Sequence, residues 1–314
     1  MPGNRPADIC ILSMLLNLRL VKTPRFCCLP ILSLLSALLL AVPETAAAQT
    51  GPPAASVVAA QVLDQTTQAP VAYASIGILR HPAGTVADDQ GRFTLPVPAA
   101  NDQDSLRIGL LGYAPLTVQV GAFRRQLGPS GGRLYLRPAP TQLAEVVVRP
   151  GKFTQRILGN STNSTAIEAG FRVNELGNQV AQGMHVRRPS TLEQVSFHVA
   201  KCTYDSLFYR LNVYQVLDGR PATNLLPEPV YVRVRKGHTQ DRMVADLRRF
   251  NLVVQGDIAV GLEMVKDLGP GALMLSVSLL GGPVYFAKQA TDCWQPLHGV
   301  GIGIDATVAE YRNN

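Results

Sequence analysis

The stretch from Ala69 to Pro98 leaves this chain few folds to choose from. Val71, Tyr73, Ser75 and Gly77 alternate with Ala72, Ala74, Ile76 and Ile78. That is the period-two pattern of a strand with a buried face. Pro82, Ala83 and Gly84 break it, and Thr85, Val86 and Ala87 read as a short strand. Asp88-Asp89-Gln90-Gly91 is turn chemistry, because Asp side chains cap their own backbone and Gly supplies a positive φ. From Arg92 to Leu95 the alternation resumes with Phe93 and Leu95 facing inward, so the segment reads as a hairpin. Asp88 and Asp89 look like half of a calcium loop. Calcium takes six to eight oxygens, and no further acids surround this turn, so the structural role is preferred.

The same alternation fills the rest of the chain, and helical periodicity is sustained nowhere. With 314 residues and 46% hydrophobic content, the chain is long enough for two packed domains, and 27 Gly and 23 Pro supply their turns. We expect an all-β protein. Residues 57–138 hold about seven short strands, including Val57 to Leu63, Ser105 to Leu110, Leu116 to Val120 and Arg133 to Leu136, the spacing of a small sandwich. Residues 139–152 form a Pro-rich linker or docking strand. Residues 153–314 hold about ten strands and read as a jelly-roll-like β-sandwich, two sheets over one core. Within that part Ile157 to Thr165 is polar and reads as a loop.

Residues 1–48 read as a signal peptide. Lys22 and Arg25 precede an apolar run from Leu29 to Val42, and Ala46 and Ala48 supply the small residues for cleavage after Ala48. The run is too short for a transmembrane helix, so no membrane-spanning segment is expected after cleavage. A second apolar patch, Ile9 to Val21, is foreign to such a leader and fits a start at Met14. Cys27 and Cys28 lack a lipobox context. The mature protein is therefore expected to be exported: periplasmic, outer-membrane-associated or secreted. The net charge of +7 falls to +5 beyond residue 48, too small and too scattered for a nucleic-acid partner.

Four groups of residues carry a resemblance: Val58-x-x-Gln61-Val62-x-Asp64, Pro70-x-x-x-Ala74-x-Ile76, Gly84-Thr85-x-x-Asp88-x-x-Gly91-x-Phe93, and Gly112-Tyr113. Together they resemble the carboxypeptidase-regulatory-like domain common in secreted proteins of Bacteroidetes, over about residues 57–138. The resemblance implies a transthyretin-like sandwich. It does not carry over peptidase activity, because a zinc carboxypeptidase needs three protein ligands and His81 stands alone in this part of the chain. Gln61 departs from the Gly often found there. Leu143-x-Glu145-Val146-Val147-Val148 resembles the segment that follows this domain in TonB-dependent transporters. Residues 153–314 do not supply a plug and large barrel, so a docking strand is preferred over a TonB contact. The strand order of the C-terminal part is loosely similar to galactose-binding-like accessory modules.

Candidate site residues are few. Trp294, with Tyr285 and Asp292 nearby in sequence, is the candidate ligand-binding group, since an exposed indole stacks on a sugar ring while polar neighbours reach its hydroxyls. The competing reading packs Trp294 over the end of the sandwich. Cys202 and Cys293 form one bridge in an oxidising compartment, or stay as two separate thiols; both readings are open. His185, His198, His238 and His298 show no metal spacing, so neither metal nor cofactor is expected. Glu193 and Glu263 have the residue type of a glycosidase pair, but no motif joins them. Arg187-Arg188, Arg233 to Lys236 and Arg248-Arg249 are basic spots on solvated faces or against an anionic polymer. The expectation is a non-catalytic, envelope-associated interaction module whose partner is an envelope protein or glycan; the alternative is a carbohydrate-binding module.

Overall fold

The computed structural model describes residues 56–79, 81–97, 101–127, 131–139, 152–234, 242–289 and 293–312. The signal peptide, the segment from Leu143 to Val148, His238 and Asp292 lie outside the described residues. Residues 53–314 make one compact unit.

Seven strands come first: β1 (Ser56–Asp64), β2 (Ser75–Ile78), β3 (Gly84–Val86), β4 (Arg92–Val97), β5 (Ser105–Gly109), β6 (Leu116–Gln119) and β7 (Gly132–Leu136). They form a three-stranded sheet in the order β4-β1-β7 and a four-stranded sheet in the order β3-β2-β5-β6. Between them lies one core that includes Val62, Ile76, Leu95, Val97, Ile108 and Leu136. Each such side chain contributes roughly 1.5–3 kcal/mol when fully buried. β4 shows the expected alternation, with Phe93, Leu95 and Val97 buried and their neighbours exposed.

The hairpin expected around Asp88 is not one. β3 pairs with β2, while β4 pairs with β1 in the opposite sheet. The Asp88–Gly91 turn therefore carries the chain from one sheet to the other. Its chemistry is as read: Asp88 Oδ1 accepts the Gln90 and Arg92 amides at 2.8 Å, and Oδ2 accepts from Arg92 Nε at 3.1 Å. Gly91 sits at φ 71°, where a Cβ would lie 2.5 Å from the Val62 carbonyl. The first strand expected in this stretch is also shorter, because Tyr73 has φ 59° and breaks the extended run before Ser75. A short helix, α1 (Val120–Gln126), interrupts the strands; it has no side-chain N-cap, which is why nothing in the sequence announces it.

The residues carrying the family resemblance are architectural. Asp64 Oδ1 accepts the Thr66 and Thr67 amides at 2.7 and 2.8 Å, and Oδ2 accepts the Tyr113 hydroxyl at 3.0 Å. The Thr67 amide leads in holding the Asp64 carboxyl below the usual range, with help from Thr66 and Tyr113 against the opposing effect of burial. A depressed folded pKa stabilises above the unfolded value of ~3.9 and is lost as pH falls through the folded value. Asp64→Asn is therefore expected to lower the neutral-pH Tm and flatten its fall below about pH 4. Thermal melts across the acid range check this.

Thirteen strands follow: β8 (Lys152–Gly159), β9 (Glu168–Phe171), β10 (Gln179–Cys202), β11 (Leu207–Leu217), β12 (Arg220–Asn224), β13 (Val230–Val234), β14 (Arg242–Asp246), β15 (Val253–Met264), β16 (Leu273–Leu279), β17 (Val284–Ala287), β18 (Gln295–Leu297), β19 (Val300–Ile302) and β20 (Ile304–Arg312). They build the second part of an all-β sandwich protein. Their hydrogen bonding is continuous, because β10 serves both layers. Its first half pairs with β15 and β17, and its second with β14, β20 and β16. The layers meet where Phe171 on β9 packs against Tyr209 on β11, ring centroids 4.9 Å apart. β10 takes the place of two strands that alternation marks out separately, from Gln179 to Val186 and from Leu192 to Val199. Pro189 cannot donate to a ladder, and the register of β10 against β15 shifts between Val186 and Ser190 instead of ending. Residues 157–159, expected in a loop, belong to β8, an edge strand exposed on much of both faces.

Candidate functional site

A buried ion pair sits where the first sandwich meets the second. Arg210, in the middle of β11, is 4% exposed and Glu263, opposite it on β15, is 2% exposed. Arg210 Nε donates to Glu263 Oε2 at 3.0 Å and Nη2 donates to Oε1 at 2.7 Å, a two-point pair. The remaining donors cross to the first sandwich. Nη1 reaches the Tyr73 carbonyl at 2.8 Å and Nη2 the Ser75 hydroxyl at 2.5 Å. Ser75 Oγ in turn donates to Glu263 Oε1 at 3.2 Å. Burial pulls the Arg210 pKa down, but the facing carboxylate more than offsets it, so the net direction is up.

The network continues along the sheet. Asn212 Nδ2 donates to Glu263 Oε2 at 2.8 Å and lies 3.3 Å from Gln179 Oε1, which also accepts the Tyr214 hydroxyl at 2.7 Å. Asn224 Nδ2 donates to Asn212 Oδ1 at 2.9 Å. Burial, helped by the Glu263 charge, pushes the Tyr214 phenol well up, so it stays neutral. Glu263 thus accepts from Arg210 twice, from Ser75 and from Asn212. No face of the carboxylate is left to act as a base, and the arrangement clamps two parts of the chain together.

An aromatic cluster lies beside the clamp. Tyr73 comes from the first sandwich, Phe208 from β11 and Tyr231 from β13. The Tyr73 and Phe208 centroids are 4.9 Å apart, and the Phe208 and Tyr231 rings stack at 5.0 Å and 16°. Val86 and Val265 close the cluster from the two sides. The left-handed backbone at Tyr73 aims both its carbonyl and its ring at β11. Such a conformation costs of order 1–3 kcal/mol, and the contacts it makes possible hold it. A second contact lies at Gly84, where a Cβ would stand 2.5 Å from Gln289 Oε1 and 2.6 Å from the Ile76 carbonyl.

The residues singled out from sequence are distributed elsewhere. Trp294 is half-buried and meets Tyr214 edge-on at 5.3 Å and 69°. Tyr285 shares its cluster but is 4% exposed, with no free ring face for a ligand. Cys202 is a free thiol whose Sγ lies 3.8 Å from the Tyr204 carbonyl, so no bridge joins it to Cys293, which is exposed. Burial raises the Cys202 pKa, the direction of an inert thiol. Glu263 stands opposite Gln179 at the start of β10, whereas Glu193 lies in its second half and accepts from Gln155. His185 pairs with Asp257 and His198 with Asp305, each at 2.6 Å.

Sequence reading missed Arg210. The signal was present: an Arg inside Phe208-Tyr209-Arg210-Leu211 and a Glu inside Gly261-Leu262-Glu263-Met264 are charges in strands with no polar face. Such residues are rarely buried without a partner.

Fold and junction together define a small β-sandwich module seated on a second, larger sandwich. Residues 59–148 match the family model for the CarboxypepD_reg-like domain, so the match runs past Pro138. The chain matches no curated protein. No helix among the described residues is long and apolar enough to cross a membrane.

Proposed function

We propose that this is a non-catalytic interaction module of the cell envelope, exported by the leader at residues 1–48 and engaging an envelope protein through its second sandwich. The observation that carries this reading is the clamp. The buried charged pair, Arg210 and Glu263, is consumed in joining the regulatory-like sandwich to its neighbour, which suits a rigid adaptor better than a reaction centre. The test expresses the chain with a photo-crosslinking residue at one exposed position of the second sandwich at a time: Leu217, Val244 or Leu280. The expected result is an exported product starting at Gln49 and a discrete crosslinked envelope protein from at least one position. A cytosolic, uncleaved product, or no adduct at any position, contradicts it.

A glycan-binding version of this reading rests on Trp294, whose half-buried indole is held edge-on by Tyr214. It requires that glycan-array binding exists and is lost in Trp294→Ala. An array with no binding removes this version.

A further inference from the structure

β13 and β14 belong to different layers, yet they flank one cleft of about 720 Å³, within the usual range for binding sites. Among the described residues, β13 pairs only with β11, and β14 only with β10. Among the described residues, each strand therefore presents one unpaired edge. Such an edge carries a row of backbone donors and acceptors that a further strand can satisfy. Each edge is five residues long, about 17 Å, the length of an ordinary strand.

The side chains select what can enter. Val232 and Met243 point into the core, while Arg233, Arg242 and Val244 are exposed. Arg233 lies over the Phe208 ring at 4.8 Å, with the Lys266 ammonium 5.9 Å from the same ring. Arg242 is half-exposed. One of its nitrogens donates to Ser196 Oγ at 2.6 Å and lies 3.9 Å from Asp305, while 48% of the side chain stays exposed. The one acid of the two strands, Asp246, is already held by Arg248 Nε at 3.0 Å and its carboxyl is pushed down to about 2 by that contact. The rim is thus cationic. A second copy presenting the same edge meets like charge, whereas an acidic strand meets complementary charge.

We propose that β13 and β14 form a strand-receiving cleft that binds an extended segment of a partner protein, with acidic side chains facing Arg233 and Arg242. Main-chain hydrogen bonds to an open edge supply affinity, and alternate side chains supply selection. The proposal rests on the interaction-module reading and names the chemistry of its partner.

The test uses the purified full chain and three labelled hexapeptides followed by fluorescence anisotropy. One alternates Glu and Val, one alternates Lys and Val, and one is the Glu-Val peptide with its central amides N-methylated. The Glu-Val peptide is expected to bind, with amide-exchange protection appearing in β13 and β14. The other two, and the Glu-Val peptide on Arg233→Glu/Arg242→Glu, are expected to bind at least about tenfold more weakly. The peptide comparison on the unmodified protein stands even if the double variant folds poorly. No Glu-Val binding, or equal binding of the N-methylated peptide, overturns strand addition. Binding of polygalacturonate with no peptide binding overturns it in favour of an anionic-glycan surface. An envelope crosslink from Leu217 or Leu280 with no peptide binding overturns this inference alone and leaves the interaction-module reading standing.

Discussion

Arg210→Ala is expected to destabilise the protein by about 3–5 kcal/mol, the cost of leaving one member of a buried pair without the other. For a folded unit of this size that is a Tm loss of roughly 6–20 °C. The cost has two parts. Glu263 keeps only Ser75 and Asn212 as donors to its buried carboxylate, and the Tyr73 carbonyl and the Ser75 hydroxyl lose the donor that ties them to β11. Arg210→Lys is expected to recover only part, because an ammonium cannot reproduce the two-point geometry. Removing both charges together, as Arg210→Met with Glu263→Leu, is expected to cost less than either single change, since no unpaired charge remains. Urea unfolding of Arg210→Met, Glu263→Leu and the double variant, with Arg210→Ala and Arg210→Lys beside them, checks the order. A double variant as unstable as the two single ones added together would show that the pair is not coupled.

Phe208→Ala should cost a further large amount, about 3–5 kcal/mol, by a different route. The ring is 9% exposed and touches Tyr73 and Tyr231, with the Arg233 guanidinium over its face. Truncation leaves a cavity between β11 and the first sandwich and strips Tyr73 of the contact that repays its left-handed backbone. Phe208→Leu should retain more than half of the stability, because it fills most of the volume. The two sites share Tyr73, so Arg210→Ala and Phe208→Ala are expected to be non-additive. Midpoints of urea unfolding for the single and double variants measure this.

Much of the fold was legible in the residues. β1, β4, β5 and β7 follow from alternation because each has one buried and one exposed face, as in the pattern of Phe93, Leu95 and Val97. Alternation does not say which sheet a strand joins. That is why the Asp88 turn reads as a hairpin although it crosses between sheets. β8 is not legible and its second half reads as a loop, because an edge strand exposed on both faces has no hydrophobic period. β10 reads as two strands, because alternation lapses between Val186 and Leu192, where the structure has a register shift instead of an end.

The junction was not legible as a site. Its members, Tyr73, Ser75, Arg210, Asn212 and Glu263, come from distant stretches of chain, and only the topology brings them together. The buried charges in β11 and β15 did announce that partners were required. The residues favoured from sequence, Trp294 and Tyr285, drew notice for their type, yet Tyr285 is core and Trp294 rests against Tyr214. Residue type marks candidates; burial and partners decide which remain.

The central claim is that the two sandwiches act as one body through the Arg210 clamp. Differential scanning calorimetry of the full chain and of Arg210→Ala tests it most directly. The unmodified protein is expected to show one cooperative transition, with calorimetric and van't Hoff enthalpies in agreement. In Arg210→Ala the transition is expected to move down and to broaden or split as the sandwiches uncouple. Two independent transitions in the unmodified protein, with neither shifted by Arg210→Ala, would contradict it.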